Sequence, residues 1–271
     1  MSNFRASLIN YADEGTLSDP VDGDVVYSLP LSNLRVPRLS KLCRKTSQTT
    51  FNHRIDFGSG QTRPIQVVGI LGHNMEEAFV TARLYNNALT LIAEETPLVV
   101  WTPPNTGMPN HTWLFFDAEY NARRIDVFSG STGSNPYEAG RLWAGPLWTP
   151  PDGAVSDQPV EQVDTSRVRI APGGQMWSTP GVRLRQVELG FEVEHAWAYG
   201  DGDGTLDLQQ IDFLVGNHRD IVVWPRTQLL GSDNQNLIHR LGIYGRRSQY
   251  TAIKPVDDVL YQQRWTVTEI R

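Results

Sequence analysis

The chain has 271 residues, enough for one large core or two modest ones, and its 10% aromatic content excludes a disordered chain. Its 24 Lys and Arg against 30 Asp and Glu leave a formal net charge of −6, which argues against nonspecific nucleic-acid binding. The single cysteine, Cys43, excludes an internal disulfide framework and a thiolate-rich metal site.

No stretch approaches the roughly 18–20 apolar residues of a membrane span. The opening residues, MSNFRASLINYADEG, lack the apolar core of a signal peptide, so synthesis in a reducing cytoplasm is expected. The 23 Gly and 17 Pro suit short strands joined by turns. The first forty residues are polar and turn-rich, with one short strand predicted at 25–27. Leu31-Ser32-Asn33-Leu34 then leads into a loop interrupted by Pro37.

Ile55 and Phe57 alternate with polar residues and run into Gly58-Ser59-Gly60, a strand followed by a turn. Residues 65–71 are almost continuously apolar, the pattern of a strand covered on both faces. Gly72-His73-Asn74 marks a tight turn before another alternating stretch. Glu76-Glu77-Ala78 could open a short helix, but Val80 and Thr81 favour a strand. Strands are predicted at 54–57, 65–71, 78–85, 98–101, 113–117, 123–129 and 141–148, the spacing of a sandwich. Residues 1–150 therefore read as an all-β jelly roll, or β-sandwich.

Thr149-Pro150-Pro151-Asp152-Gly153 and the apolar-poor residues after it predict a linker over 151–165. Residues 166–271 read as a second β-rich domain with one short helix. In the long strand signal at 181–194, Val182 and Leu184 share one parity, whereas Val187, Leu189, Phe191 and Val193 share the other. A β-bulge at Arg185-Gln186 would reconcile them. The helix is expected over 205–215, capped by Thr205, with Asp207 in its first turn and Gly216 at its end. Leu208, Ile211, Leu214 and Val215 form its apolar stripe. Strands at 221–224, 241–245 and 264–270 close the chain, the last read as an edge or pairing strand.

Catalytic signals are absent from this pattern. Asp201 and Asp203 alternate with Gly, with Asp207 following, as at the start of a calcium loop, but Thr205 and Asp212 fill the positions where the EF-hand needs its third ligand and its bidentate Glu. A hydrated turn feeding the helix cap is the simpler reading. The six histidines make no H-x-H or H-E-x-x-H spacing. The turn from Ser129 to Pro136 joins two strands and lacks the G-x-S-x-G spacing. No phosphate loop and no carboxylate pair is evident, so neither enzyme nor cofactor is expected. Trp101, Trp143, Trp148, Trp177, Trp197 and Trp224 suit either core packing or a sugar-stacking platform.

Several segments occur in a recognisable order: Leu31-Ser32-Asn33-Leu34, then Ile55-Asp56-Phe57-Gly58, then Gly72-His73-Asn74, then the Gly140-Arg141-Leu142 to Trp148-Thr149-Pro150 segment. So ordered, the first half resembles phage tail domains related to the discoidin (coagulation factor 5/8 C-terminal) jelly roll. The second half is similar to the remainder of baseplate or tail-tip proteins. Its matching segments are the strand from Arg185 to Val193, the helix, the stretch from Val222 to Pro225, Ile243-Tyr244-Gly245 and the closing stretch from Tyr261 to Ile270.

The resemblance implies a structural virion protein of a phage tail tip or baseplate, made in the host cytoplasm. Such a protein would assemble as a ring and link the tail tube to receptor-binding components, with other tail proteins as partners. Arg35, Arg38, Lys41, Arg44, Lys45 and the last strand are then the candidate intersubunit contacts. The alternative is a glycan-binding module that adheres to a host-surface polysaccharide.

Overall fold

A computed structural model describes residues 4–20, 29–45, 51–75, 80–96, 110–129, 136–151, 160–172, 174–200, 206–225 and 241–271. The predicted strands at 25–27 and 98–101 lie outside these residues. Strands run as β1 (Arg5–Ser7), β2 (Thr16–Ser18), β3 (Cys43–Arg44), β4 (Phe51–Asp56), β5 (Arg63–His73), β6 (Val80–Tyr85), β7 (Leu91–Glu95), β8 (Asn110–Ala122), β9 (Arg124–Ser129), β10 (Glu138–Ala139) and β11 (Arg141–Gly145). They continue as β12 (Val160–Asp164), β13 (Arg167–Ile170), β14 (Met176–Thr179), β15 (Arg183–Glu194), β16 (Asp220–Trp224), β17 (Ile243–Tyr250), β18 (Lys254–Pro255) and β19 (Leu260–Glu269). Two helices, α1 (His195–Tyr199) and α2 (Leu208–Val215), lie between β15 and β16.

The chain divides into two compact units, one of Asn3–Thr149 with Ile221–Gly242, the other of Pro150–Asp220 with Ile243–Ile270. The first is an antiparallel β-sandwich. A five-stranded sheet in the order β2-β4-β9-β6-β7 faces a three-stranded sheet in the order β11-β5-β8. Ile55, Val80, Leu84, Ile125 and Val127 of the larger sheet pack with Val68, Ile70, Leu114 and Leu142 of the smaller. The all-β expectation is met.

As its apolar run predicts, β5 is buried on both faces. Val68 and Ile70 point into the sandwich, and Val67, Gly69 and Leu71 point out of it. The outward face meets Trp113, whose ring takes the space beside Gly69: a Cβ there would lie 2.3 Å from the indole. Trp224 of β16 packs edge-on against Trp113 and Phe115, each with ring centroids 5.0 Å apart. β16 pairs with β1, and Ala6 exchanges backbone hydrogen bonds with Trp148 at 2.9 and 2.7 Å. The β1-β16 pair thus backs the three-stranded sheet and ties residues 221–225 to this unit.

The turns behave as their residues predict. Gly72 takes a φ of +63°, where a side chain would be strained. Asn74 then holds the turn with both ends of its amide, donating to the Pro136 carbonyl at 2.7 Å and accepting from the Glu138 N–H at 2.9 Å. The segment opening with Leu31 is a 3₁₀ helix, Leu31–Arg35, held by the Asn33 amide donating to the Leu42 carbonyl at 2.7 Å.

In the second unit β19 pairs with β15 on one side and with β17 and β18 on the other, while β12 flanks β15. The closing strand is therefore interior. Its ladder groups are taken on both sides, which removes it as an edge or an intersubunit pairing strand. β12 itself lies within the stretch predicted as linker. The helix begins later than expected: Asp207 is its N-cap, accepting from the Gln210 N–H at 2.7 Å, and Gly216 ends it. α1 has no counterpart among the predicted elements.

The predicted bulge at Arg185-Gln186 is also corrected. β15 keeps an unbroken register with both β12 and β19. Arg185 occupies the buried parity together with Val187 and Leu189, and Leu184 takes the other face. The buried guanidinium is neutralised by Glu269, donating from its Nε at 2.8 Å while the Arg185 backbone N–H donates to the same carboxylate at 3.0 Å. The register shift of this sheet falls in β17 instead, between Arg247 and Gln249. Arg247 there is fully buried, paired with Asp212 of α2 and donating to the Gly216 carbonyl at 3.0 Å. Asp212 also accepts from Gln263 at 2.6 Å, and Gln263 accepts from the Trp265 indole at 2.8 Å. A polar chain therefore fastens the helix to the sheet.

Glu269→Ala leaves Arg185 buried without its counter-charge and is expected to cost about 3–5 kcal/mol in urea unfolding. The double variant Arg185→Met with Glu269→Ala should recover most of that loss. A double variant as unstable as the single one would show that the pairing does not explain the regular strand.

Candidate ligand-binding surface

The strongest shifts of ionisation in the first unit belong to a sealed cluster. Cys43, Lys45, His53 and Tyr137 are all fully buried. Lys45 Nζ lies 2.6 Å from the Asp19 carboxylate, and His53 Nε2 shares a 2.9 Å hydrogen bond with the Tyr137 hydroxyl. Phe51 stacks on Tyr137 with centroids 4.3 Å apart. Burial, with the Lys45 charge nearby, lowers the His53 pKa to about 3, and burial near Asp19 pushes the Cys43 thiol up to about 12. Burial raises the Tyr137 hydroxyl well above its ordinary value. Such shifts also mark active sites, but here no group reaches solvent, so the cluster is core.

The remaining sequence candidates are dispersed. His73 and His111 are buried, with His73 bonded to the Thr112 hydroxyl at 2.8 Å and His111 accepting from the Gly72 N–H at 3.2 Å. His239, Asp201 and Asp203 lie outside the described residues, and the Asp207 carboxylate is engaged as the helix cap. Among the described residues, no group of three or more His, Cys, Asp or Glu is placed to hold a metal ion. Of the basic cluster, Arg38, Lys41 and Arg44 are exposed, Arg44 being paired with Glu138. Arg35 is half-buried and donates to the Gly15 carbonyl. Lys45 is enclosed with Asp19, so it cannot belong to an exposed contact surface.

The tryptophans separate cleanly. Trp113, Trp143, Trp148, Trp224 and Trp265 are buried, and Trp197 is half-buried. Trp101 lies outside the described residues. Trp177 alone among the described tryptophans is exposed, with 65% of its surface open. It sits on β14, which pairs only with β13 in a two-stranded ribbon.

The ribbon extends the β12-β15 hairpin. At its base the Thr165 hydroxyl donates to the Val182 carbonyl and accepts from the Val182 N–H, both at 2.8 Å. The Ser166 hydroxyl accepts from the Gly181 N–H at 2.8 Å. At its tip Gly174 turns with a φ of +78°. Directly paired residues share a face, so Arg169 stands beside Trp177 and Arg167 beside Thr179. The other face presents Ile170 beside Met176 and Val168 beside Ser178. Every residue of both strands is exposed. Arg167 and Arg169 have no ion pair among the described residues; Arg183, at the base, lies 3.6 Å from Asp164.

The ribbon has a local sequence signature. Arg167-Val168-Arg169-Ile170 alternates perfectly, Pro172-Gly173-Gly174 is turn chemistry, and Met176-Trp177-Ser178-Thr179 answers it. A second aromatic patch lies elsewhere in this unit. His195 and Tyr199 of α1, both exposed, and half-buried Tyr261 of β19 form a cluster with ring centroids 5.2 to 5.5 Å apart.

No protein-family model matches the chain, and no curated protein matches it. Solved structures similar to about half of it include a fucose-binding module of Streptococcus pneumoniae, at 14% identity, covering 51% of this chain and 94% of that one with a TM-score of 0.37. The family 32 CBM from Clostridium perfringens NanJ, solved with galactose, is similar at 16% identity, covering 53% and 99% with a TM-score of 0.38. Chitosan-binding module 1 of a Paenibacillus chitosanase/glucanase is similar at 15% identity, covering 50% and 98% with a TM-score of 0.36.

The sealed cluster has two measurable consequences. The folded protein should not react with a thiol reagent at Cys43, whereas the urea-unfolded protein should react stoichiometrically. His53 stays neutral in the folded state down to about pH 3 but takes a proton below about pH 6.5 when unfolded. Stability is therefore lost as the pH falls from 6.5 to about 3. The variant His53→Gln should show a shallower acid limb in unfolding titrations, and an unchanged limb would rule out His53 as its source.

Proposed function

We propose that this chain is a non-catalytic glycan-binding protein that adheres to a cell-surface polysaccharide. The observation behind this reading is Trp177, an open indole set on a rigidly based ribbon and flanked by hydrogen-bond donors. A pyranose ring offers a face of C–H groups that lies well on an indole, and its hydroxyls take hydrogen bonds from neighbouring polar groups. The ring cluster of His195, Tyr199 and Tyr261 offers a second surface of the same chemistry. The enclosure of Cys43, His53 and Tyr137, whose ionisation is shifted, fits core packing beneath a binding protein better than catalysis.

A second reading draws on the order of the sequence motifs and on the other face of the ribbon. There the chain is a structural component of a phage tail tip or baseplate that assembles as a ring. Exposed Val168, Ile170 and Met176 are suited to a protein contact. Light scattering on the purified protein tests that reading, which expects a closed oligomer.

Calorimetric titration against a panel of bacterial envelope polysaccharides should give saturable binding. Trp177→Ala should weaken it at least about ten-fold, equivalent to about 1.4 kcal/mol. Its unfolding midpoint should not change, because the indole is exposed. A flat wild-type titration across the panel would remove the glycan reading.

A further inference from the structure

We infer that the ribbon face bearing Trp177 selects acidic glycans, polymers whose pyranose rings carry carboxylates. This inference rests on the glycan-binding reading and specifies its ligand. The face holds Arg167 and Arg169 on one strand, with Trp177 directly across from Arg169. Alternate residues of a strand lie about 6.6–6.8 Å apart along its axis, so the two guanidiniums form a row beside the indole. All three side chains are exposed.

Charge decides the occupant. The described ribbon residues from Thr165 to Val182 include two arginines and no acid. Taking those two from the chain's 24 Lys and Arg leaves 22, against 30 Asp and Glu, so the rest of the protein is acidic. Two exposed guanidiniums with no ion pair among the described residues are thus a local cationic feature on a chain of opposite sign. Arg binds a carboxylate through two parallel N–H donors, a geometry that matches a planar anion. A hexuronate brings its ring and its carboxylate together: the ring stacks on Trp177 while the carboxylate reaches Arg169 across the ladder. A following residue of the polymer can present its charge to Arg167. A neutral sugar would use the indole and leave both arginines without a counter-charge.

The test compares polygalacturonate, alginate and hyaluronate with the same polymers after their carboxyl groups are reduced to alcohols. Binding to at least one acidic polymer is expected, with an affinity about ten-fold or more above its reduced form. The double variant Arg167→Gln with Arg169→Gln should lose that preference and bind the reduced polymer as the wild type does. Circular dichroism and the urea midpoint of the variant should match the wild type, since neither arginine is buried.

Equal binding to acidic and reduced polymers would overturn the acidic specificity while leaving the glycan reading intact. Binding to no saccharide would end both. Binding to phosphatidylglycerol vesicles but to no polyuronate would assign the arginines to a lipid surface and overturn the proposal. A wild-type oligomer that dissociates in the double variant, without any loss of polymer binding, would assign the ribbon to subunit contact and overturn it likewise.

Discussion

A residue without a side chain sets the design of the first unit. Gly69 lies in the middle of β5, and the Trp113 ring rests where a Cβ would stand. A large indole on the outward face of a three-stranded sheet cannot be left in water without exposing a broad apolar surface. Trp224 packs edge-on against it, and on the same sheet the Trp143 indole donates to the Ser7 hydroxyl of β1 at 3.0 Å. The sandwich therefore needs chain from three places: its own strands, residues near the start, and residues beyond 220. Only the inner, sandwich-facing core could form from a contiguous run.

Buried charge is the second organising element, and in each case it comes with its partner. Arg141, nearly inaccessible on β11, is held by both carboxylate oxygens of Asp13, each at 2.7 Å. Arg185 has Glu269, Arg247 has Asp212, and Lys45 has Asp19. Pairing lets a strand keep its period when the sequence puts arginine at an inward position. For that reason hydrophobic parity suggested a bulge in β15 where the ladder is continuous. A parity rule counts apolar side chains only, and it cannot see a cation whose partner lies 84 positions away.

The sandwich strands were legible because their signals are local. Apolar alternation in β4 and β6, the unbroken run in β5, and glycine or asparagine at the turns each depend on a few neighbouring residues. The same holds for the helix stop at Gly216. What was not legible depends on partners distant in sequence. The last strand alternates imperfectly and read as an edge, yet β15 and β17 occupy both of its sides. Lys45 looked like one of five surface cations, and only the fold shows that Asp19 is beside it in the core. The Arg167-to-Thr179 ribbon is also local, with alternation and a Pro-Gly-Gly turn, but both its faces are open, so its pattern marks a strand pair without marking a core.

The discontinuous first unit has a consequence for biosynthesis. As the chain leaves the ribosome, residues 4–149 emerge well before Trp224 does. Until then Trp113 and Phe115 have no edge-on neighbour from β16, and β1 has no strand to pair with. The sandwich must wait, half-clad, while some seventy more residues are translated. During that interval the nascent chain presents the kind of apolar surface that chaperones hold and that drives premature association. Completion of one unit is thus timed by the synthesis of the other.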